Sequence, residues 1–311
     1  MRGFGRLNPG QRGTVASIGN FDGVHRGHQA VLEDLRDRSR TMRLPSTVML
    51  FEPMPQEYFA GVRPPARLTR FSEKWPLLAE AGVDRVLCLR FGPRLAEMAP
   101  EEFIDQVLVQ GLGVRHLAVG DDFRFGRERR GDFALLQKTG RESDFEVSHA
   151  PTLTLAGERV SSTRIRELLA EGELQAAAEL LGRPYALSGR VMYGERLGRK
   201  LGFPTVNLAL RRRVSPVSGI FAARVHGAGP RARDAAAYIG RRPAAGGVEL
   251  ILEAHLPGFT GELYGRRLKV ELLQRLREDR HFDSLDALAQ QMGKDTTAAL
   301  AWLAHYEKST K

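Results

Sequence analysis

The sequence predicts an α/β fold, with an open parallel sheet in an N-terminal domain and a small antiparallel β-barrel domain with C-terminal helices after it. The chain has 311 residues, and at about 150 residues per domain this length favours two domains. Its first half alternates short apolar runs with helical patterns, as βαβ units around a parallel sheet do. After Gly182-Arg183-Pro184, short β-type runs separated by glycine and proline replace the helical periodicity. We therefore predict domains at residues 1–182 and 183–311.

Apolar runs of strand length in the first half predict the strands of the parallel sheet. Between them lie helix-like stretches with apolar residues three and four positions apart. The third helix is further supported by Pro100 at its start and by two acidic residues in its first turn. Strands are expected at 14–18, 47–51, 85–90, 116–119 and 145–148, and helices at 28–38, 71–81 and 100–110.

The second half begins after a helical stretch at 161–181, which predicts two short helices split at Glu171-Gly172-Glu173. Ser161 or Ser162 is placed to cap the first of them. Further runs of strand length predict an antiparallel sheet, for which a small barrel is the favoured closure. An amphipathic segment from Ser284 predicts C-terminal helices packed on this barrel. The barrel strands are expected at 189–193, 220–225, 235–239, 248–255 and 268–273.

The composition excludes several classes of protein. Hydrophobic residues make up 42% of the chain and charged residues 27%, which argues against a disordered chain or a fibre. No run of 18 apolar residues is present, and the first residues lack the apolar stretch of a secretory signal, so no membrane partner is expected. The single cysteine, Cys88, excludes an internal disulfide and, lying in an apolar run, predicts a buried, inert thiol. We expect a cytoplasmic protein.

The net charge of +10 favours anionic partners through long-range attraction. Nucleotides and nucleic acids both fit this description. The basic residues are dispersed along the chain, however, and a dispersed excess is more typical of solvated faces than of a nucleic-acid groove. Nucleic acid is therefore the less favoured partner.

A glycine-bearing loop after the first predicted strand is typical of a phosphate site. Gly23 and Gly27 let the backbone approach phosphates without a Cβ, and the following helix N-terminus offers free N–H groups. His25 and His28 are three positions apart and can donate from one side to phosphoryl oxygens as charge grows on a leaving pyrophosphate. The alternatives are a metal pair with Asp22 as third ligand, or simple surface histidines. No further cysteine or histidine cluster in the sequence completes a zinc site.

This loop resembles that of the HxGH nucleotidyltransferases. Its longer form, GNFDGVHRGHQ at 19–29, is similar to the adenylyltransferase module of bacterial bifunctional riboflavin kinase/FAD synthetases. Three more stretches carry the resemblance, each at a strand end or a helix start, where an open α/β sheet places its ligands. They are FEPMP at 51–55, GDDFRFG at 120–126 and SSTRIR at 161–166. The resemblance implies a Rossmann-like HxGH nucleotidyltransferase domain that uses ATP.

Residue chemistry and the resemblance together assign the ATP contacts of this first site. Thr163 with Arg164 or Arg166 at a helix start can grip phosphates, because the planar fork of arginine meets phosphate in two bonds. No nucleophilic side chain is required, since the phosphate of FMN attacks the α-phosphate of ATP directly. The assigned ATP residues are Gly19, Phe21, Asp22, Gly23, Gly27, Thr163, Arg164 and Arg166, and the catalytic residues are His25 and His28.

Flavin contacts in this domain are assigned to Pro53, Asp122, Phe123 and Phe125. The two phenylalanines could hold a planar ring system, although core packing explains each of them equally well. Asp122 has the alternative of capping a turn. Met54 stands where the family usually has histidine, and methionine does not donate a hydrogen bond to a phosphate or a flavin. A kinase with weak or lost adenylyl transfer is therefore kept as an alternative.

In the second half, residues 194–207 resemble the flavokinase signature, a glycine-bearing loop followed by a Pro-Thr-x-Asn turn. Gly198 and Gly202 allow a tight cover over ATP phosphates. Thr205 and Asn207, two apart on an extended segment, point their oxygens to one side and suit Mg²⁺. Taken alone, the last two residues are more often turn formers.

The resemblance places the general base for the ribityl hydroxyl of riboflavin at Glu253. Its apolar strand is expected to raise the pKa of this carboxyl group. Alternation could instead put Glu253 in solvent, and Glu249 and Glu271 are rival carboxylates. Arg277 matches the C-terminal pattern of the family, where it could cover the flavin or the phosphates. Ala244 replaces a threonine of the family, a change expected to tune the site.

The resemblance extends from about residue 13 to about residue 285, with its motifs in the family's order. It implies a flavokinase barrel that phosphorylates riboflavin to FMN and an N-terminal domain that adenylylates FMN to FAD, with ATP as co-substrate and Mg²⁺ as cofactor. An alternative of a different class is a flavin- or nucleotide-binding regulatory protein that contacts nucleic acid. The sequence leaves a homo-oligomer open.

Overall fold

The computed structural model describes residues 12–61, 64–193, 201–244 and 247–309. The chain divides into two compact units. The first comprises Met1–Pro65 and Thr69–Ser161, and the second comprises Ala66–Leu68 and Ser162–Lys311. The helices after Ser161 thus fold with the second unit, whereas the sequence places the domain boundary after residue 182, and that boundary stays a prediction.

The first unit is built on a parallel sheet, as the sequence predicts. Its strands are β1 (Thr14–Ile18), β2 (Ser46–Glu52), β3 (Arg85–Arg90), β4 (Val114–Val119) and β5 (Glu146–His149). They pair in the order β3-β2-β1-β4-β5, so the chain extends the sheet on one side of β1 and then on the other. In open α/β sheets, ligands bind at the carboxyl ends of the strands at such a switch point. The ends of β1 and β4 therefore mark the expected site.

Helices cover both faces of this sheet. They are α1 (Arg26–Met42), α2 (Pro55–Ala60), α3 (Phe71–Glu80), α4 (Pro93–Ala96), α5 (Pro100–Phe103) with a π-helical continuation (Ile104–Leu112), and α6 (Phe133–Glu142). A 3₁₀ turn (Arg127–Arg129) and a short hairpin, β6 (Thr154–Leu155) with β7 (Glu158–Arg159), complete the unit. The helix expected at 100–110 is therefore correct in place but mostly π-helical.

Alternate residues of the strands feed two separate cores. On β2, Val48 and Leu50 pack in one cluster with Leu32 and Leu35 of α1. Met49, between them, packs in the other cluster with residues of the π-helical segment. This two-sided burial explains the nearly continuous apolar runs of the strands. Cys88 is half-buried rather than buried, so that expectation was wrong.

A buried histidine is expected to make the stability of this unit depend on pH. His116 on β4 is 2% exposed, and its Nε2 lies 2.9 Å from the Ser148 hydroxyl of β5. Burial, with the positive charge of Arg38, lowers the pKa of His116 below 6.5. The unfolded chain therefore binds a proton more readily, so the stability of the unit should decrease as pH falls below about 6.5.

Thermal unfolding of the first unit between pH 8 and pH 5 measures this dependence. His116→Gln should flatten the decrease below pH 6.5, whereas replacing the exposed His149 by Gln should leave it in place. An identical pH profile for His116→Gln and the unchanged protein would contradict the assignment.

The second unit is a closed antiparallel barrel, which confirms the predicted fold class. Its strands are β8 (Tyr185–Met192), β9 (Thr205–Ala209), β10 (Gly219–His226), β11 (Arg233–Ala244), β12 (Gly247–His255) and β13 (Arg267–Arg277). They follow one another around the barrel in the order β10-β11-β12-β9-β8-β13. Strand β13 pairs with both β8 and β10 and so closes it. Strand β9 was not among the predicted strands.

The interior of the barrel is filled with side chains. Leu252 and Ala254 of β12 and Phe221 of β10, for example, belong to one buried cluster. The same cluster includes residues of α7 (Ser162–Glu171) and α8 (Leu174–Leu181), the two short helices that the sequence predicts. Any ligand of this unit must therefore bind outside the barrel.

A long helix, α9 (Leu285–Ser309), packs on the outer face of the barrel. Its Ala299 and Leu303 cluster with Ala222 of β10, whose neighbours on the strand point into the interior. The sequence predicts more than one helix here, and the helix is in fact continuous. The threonines near its middle are compatible with a continuous helix, because the hydroxyl of Thr296 donates to the carbonyl of Met292 at 2.8 Å within the same helix.

Candidate functional site

The loop between β1 and α1 has a strained backbone. Phe21 (φ 44°), Gly23 (φ 86°) and Val24 (φ 41°) lie in the left-handed region. Glycine adopts this region readily, whereas a β-branched residue such as valine rarely does, and such outliers concentrate at functional sites. The loop also leaves β1 beside β4, at the switch point of the sheet. Both observations mark it as a candidate binding site.

The two histidines of this loop stack at the start of α1. The ring centroids of His25 and His28 are 3.6 Å apart. His25 is the N-cap residue of α1, and its Nδ1 accepts a hydrogen bond from the backbone N–H of His28 at 3.3 Å. A neutral imidazole that accepts at Nδ1 carries its proton on Nε2. His25 therefore presents Nε2–H as a donor, and Gly27 fits closely, since a Cβ there would lie 3.2 Å from the His25 ring.

Asp22 shapes this loop from within. It is 1% exposed, and its Oδ1 accepts the backbone N–H of Thr69 at 2.9 Å. The Thr69 hydroxyl in turn accepts the N–H of Gly23 at 2.9 Å. Phe21 is buried as well, and a Cβ at Gly19 would lie 3.1 Å from its ring. These placements favour a role for Asp22, Gly19 and Phe21 in loop shape over the predicted contact with ATP, and for Asp22 over the metal-ligand alternative.

A buried lysine, which the sequence analysis missed, reaches the same loop from α3. Lys74 is 4% exposed, and its Nζ donates to the backbone carbonyl of Asn20. Burying an ammonium group is costly, and buried charges concentrate at functional sites. The signal in the sequence is a lysine four residues from Leu78, on the buried face of α3.

Replacing Lys74 by methionine should weaken the adenylyl transfer that the resemblance implies for this loop, without unfolding the unit. The variant loses the bond to Asn20 and a positive charge beneath the loop, but fills the same space. We expect kcat/KM for ATP in FAD formation to fall roughly 10-fold to 100-fold, with riboflavin phosphorylation unchanged in the same sample. Lys138→Met, at an exposed position of α6, is the matched control. Unaltered FAD formation in the Lys74 variant would refute this role.

At the end of β4, the predicted flavin residues have different environments. Asp122 is exposed and pairs with Arg159 at 2.9 Å. Phe123 is half-buried and stacks on Phe125 with the ring centroids 5.5 Å apart. Phe125 is 8% exposed and packs in the core against Phe103. This burial favours the core alternative for Phe125, while Asp122 and Phe123 remain accessible.

At the end of β2, Pro53 is half-buried and follows a cis peptide bond. Met54 is the N-cap residue of α2 and is 1% exposed, so its side chain packs inside the unit, where an apolar residue suits the position. Next to it, the rings of Tyr58, Phe59 and Phe91 meet edge to face, with Phe59 69% exposed. An exposed apolar wall therefore lies at this edge of the sheet.

The remaining residues predicted to bind ATP in the first site lie on α7, in the second unit. Thr163 and Arg164 occupy the first turn of that helix, and Arg164 lies 3.6 Å from Glu167. The Nε of Arg166 donates to the carbonyl of Ala66 at 2.7 Å. Their role toward ATP phosphates stays a prediction.

In the second unit, the predicted kinase residues form one row across the outer face of the barrel. The register places Glu253 of β12 opposite Asn207 of β9 on one side and opposite Tyr238 of β11 on the other. Ile220 of β10 pairs with Tyr238, and Arg277 of β13 pairs with Ile220. The row therefore joins residues that are far apart in the sequence.

Asn207 and Thr205 fit a hard cation. The Oδ1 of Asn207 is buried and has no hydrogen-bond partner among the described residues. Thr205 lies two residues away on the same face of β9, and both residues line the same cavity. Amide and hydroxyl oxygens are ligands that Mg²⁺ accepts. Gly202 turns the chain just before them with φ 86°, whereas Gly198 and the side chain of Ala244 lie outside the described residues.

Of the three candidate carboxylates, only Glu253 lines this cavity. Glu249 is exposed and lies nearer the start of β12. Glu271 pairs with Lys269 at 2.8 Å and with His226 at 2.9 Å. Burial by itself raises the pKa of Glu271, but the hydrogen bonds from these two groups hold it below its usual value. Alternation does put Glu253 on the outer face, as the alternative reading held, but α9 and the preceding segment cover that face.

The cavity has a volume of about 430 Å³ and lies between the barrel and α9. Leu288, Met292 and Asp295 line it from α9. Arg277 faces it but is bound to Asp295, with Nε to Oδ1 at 3.0 Å and Nη2 to Oδ2 at 2.7 Å. In this structure Arg277 therefore anchors α9, and its predicted contact with the flavin stays a prediction.

These features define a class, a nucleotide-dependent transferase with two sites. A sequence model of FAD synthetase matches residues 7–164, and one of riboflavin kinase matches residues 181–303. The bifunctional riboflavin kinase/FMN adenylyltransferase of Escherichia coli is 49% identical over 96% of this chain and 96% of its own length. That of Pseudomonas fluorescens is 48% identical over 97% and 96%. The chain belongs to the family of bifunctional riboflavin kinase/FMN adenylyltransferases.

A solved structure has a similar fold. The crystal structure of a macrolide-efflux protein from Streptococcus pneumoniae superposes with a TM-score of 0.75 at 27% identity, covering 93% of each chain. In the part of our chain that the structure describes, none of the helices has the length and apolarity needed to span a membrane.

Proposed function

We propose that the chain phosphorylates riboflavin to FMN on the outer face of the barrel and adenylylates FMN to FAD at the loop after β1. Riboflavin, FMN and ATP are its small-molecule substrates, and the cytoplasm is the expected location. The observation that carries the proposal is the occurrence of two separate sites in one chain. One pairs Glu253 with Asn207, and the other stacks His25 on His28.

In the kinase step, Glu253 is the general base. Its carboxylate takes the proton of the ribityl hydroxyl while that oxygen attacks the γ-phosphorus of ATP. A new P–O bond forms to the flavin, the bond to the β-phosphate oxygen breaks, and ADP leaves. The cavity walls contributed by α9 exclude water, which would otherwise compete with the hydroxyl.

Thr205 and Asn207 are the residues that would hold Mg²⁺ in this site. When bound, the ion neutralises charge on the phosphate oxygens of ATP. This assignment is supported by the buried Oδ1 of Asn207, which has no hydrogen-bond partner among the described residues. Its register partner Glu253 lies on the neighbouring strand, so one site would hold the ion for the phosphates of ATP and the base for the attacking hydroxyl.

In the adenylyl step, a phosphate oxygen of FMN attacks the α-phosphorus of ATP, and pyrophosphate leaves. The Nε2–H of His25 and the imidazole of His28 donate to phosphoryl oxygens as charge develops there. The N-terminus of α1 adds backbone N–H groups and the positive end of the helix dipole. No covalent intermediate with the protein is required.

Incubating the protein with riboflavin, ATP and Mg²⁺ and resolving the flavins by chromatography over time tests the proposal. FMN should rise first and then give way to FAD. FMN that accumulates without FAD would restrict the function to the kinase. Riboflavin left unconsumed would overturn the proposal and favour the regulatory, nucleic-acid-binding alternative, whose affinity for nucleic acid should fall steeply with salt.

A further inference from the structure

One wall of the kinase cavity has no regular secondary structure. Residues 278–284 connect β13 to α9 as an irregular segment, and Asp279, Arg280, His281 and Phe282 of this segment line the cavity. Without a helix or a ladder, such a segment is held in position by its side chains. The contacts that fix it should therefore influence what the cavity binds.

Tyr238 makes such a contact. Its hydroxyl donates a hydrogen bond to Oδ2 of Asp279 at 2.7 Å. Tyr238 is half-buried, lines the cavity and pairs in register with Glu253. One side chain thus connects the strand face that carries the general base to the segment that covers it.

Gly240 provides the room for this side chain. A Cβ at Gly240 would lie 1.9 Å from the hydroxyl oxygen of Tyr238. Gly240 is not one of the glycines with a positive φ, so its backbone conformation does not require glycine. The absence of a side chain instead lets the Tyr238 ring lie along its own strand and reach Asp279.

The hydroxyl of Tyr238 acts as a donor throughout the working range. Burial, the hydrogen bond to Asp279 and the nearby charge of Glu253 all raise the pKa of Tyr238 above its ordinary value. The group therefore stays protonated and does not compete with Glu253 as a base.

Resting on the proposed kinase function, we propose that Tyr238 is a positioning residue for riboflavin: through Asp279 it holds segment 278–284 over the cavity. The hydrogen bond joins Tyr238 to Asp279 in the wall of the site, and Glu253 is not one of its two partners. It should therefore set the affinity for riboflavin and leave the rate of phosphoryl transfer nearly unchanged.

The test compares Tyr238→Phe with the unchanged full-length protein. The KM for riboflavin should rise about tenfold, with kcat within about twofold and the KM for ATP unaltered. Asp279→Ala should give the same rise, and Asp279→Asn, which keeps an acceptor oxygen, should restore most of the affinity. Tyr306→Phe, on α9 away from the cavity, is the control for loss of a tyrosine hydroxyl.

A double-mutant cycle separates this role from a general structural one. If the two residues act through their mutual bond, the double variant Tyr238→Phe with Asp279→Ala should have the same raised KM for riboflavin as either single variant. Additive losses, or a fall in kcat at constant KM, would overturn the proposal. Riboflavin binding measured by its fluorescence, together with thermal unfolding of each variant, gives the same comparison independently of turnover. Failure of the kinase reaction in the unchanged protein is therefore distinguishable from failure of the positioning role of Tyr238.

Discussion

Replacing Glu253 by glutamine is expected to slow riboflavin phosphorylation by about 10²–10⁴-fold, the range that a general base contributes. Glutamine keeps the size of the side chain and the register with Asn207, but it does not accept the hydroxyl proton. FAD formation from added FMN should continue at the rate of the unchanged protein. Flavins resolved by chromatography, with riboflavin or FMN as the starting substrate, give both rates.

The strand offers a matched control for this change. Glu249→Gln alters an exposed carboxylate of the same strand and should leave both reactions intact. A variant at Glu253 that lost both reactions equally would contradict the two-site arrangement. A Glu253 variant with full kinase activity would show that another residue is the general base.

The second large effect is expected for His28→Ala. Loss of one donor to a developing charge costs about 10²–10³-fold in rate, so FAD formation from FMN should fall by that amount. FMN formation from riboflavin should be unchanged. His28 is a cleaner target than His25, because the Nδ1 of His25 also caps α1 and its loss would disturb the helix.

The same time course checks this variant, since FMN should accumulate without conversion to FAD. His305→Ala, at an exposed position of α9, controls for loss of a histidine. If His28→Ala made FAD at the normal rate, the stacked pair would not be part of the adenylyl-transfer site.

The sheet was predictable because its strands combine apolar runs with clear boundaries. Strands β1 and β3 have the bounds that the pattern predicts. Strand β9 was harder to recognise, because Thr205 to Ala209 is short and follows a proline turn. The continuity of α9 was also not predicted, since the amphipathic segment from Ser284 was interpreted as more than one helix. In the fold, Asp295 of this helix is bound to Arg277.

The candidate site was predictable where local motifs carry it and not where distant residues complete it. The loop at 19–28 and the Thr205–Asn207 pair are local motifs. Lys74 and Tyr238 act through Asn20 and Asp279, which lie 54 and 41 residues away. Only the tertiary fold brings those partners together, and periodicity along the chain contains no such information. Phe125 shows the converse, because its burial favours core packing over the flavin contact that the motif predicts.

Because the interior of the barrel is filled, residues that stabilise the fold alternate with residues that face the cavity along a single strand. On β12, Leu252 and Ala254 belong to the interior cluster, while Glu253 between them faces the cavity. Substitutions at the interior positions of this strand therefore alter the stability of the barrel. Substitutions at the outward positions between them alter the chemistry of the cavity. An evolving flavin enzyme of this kind can exchange its substrate preferences on the outside of the cylinder without repacking the inside.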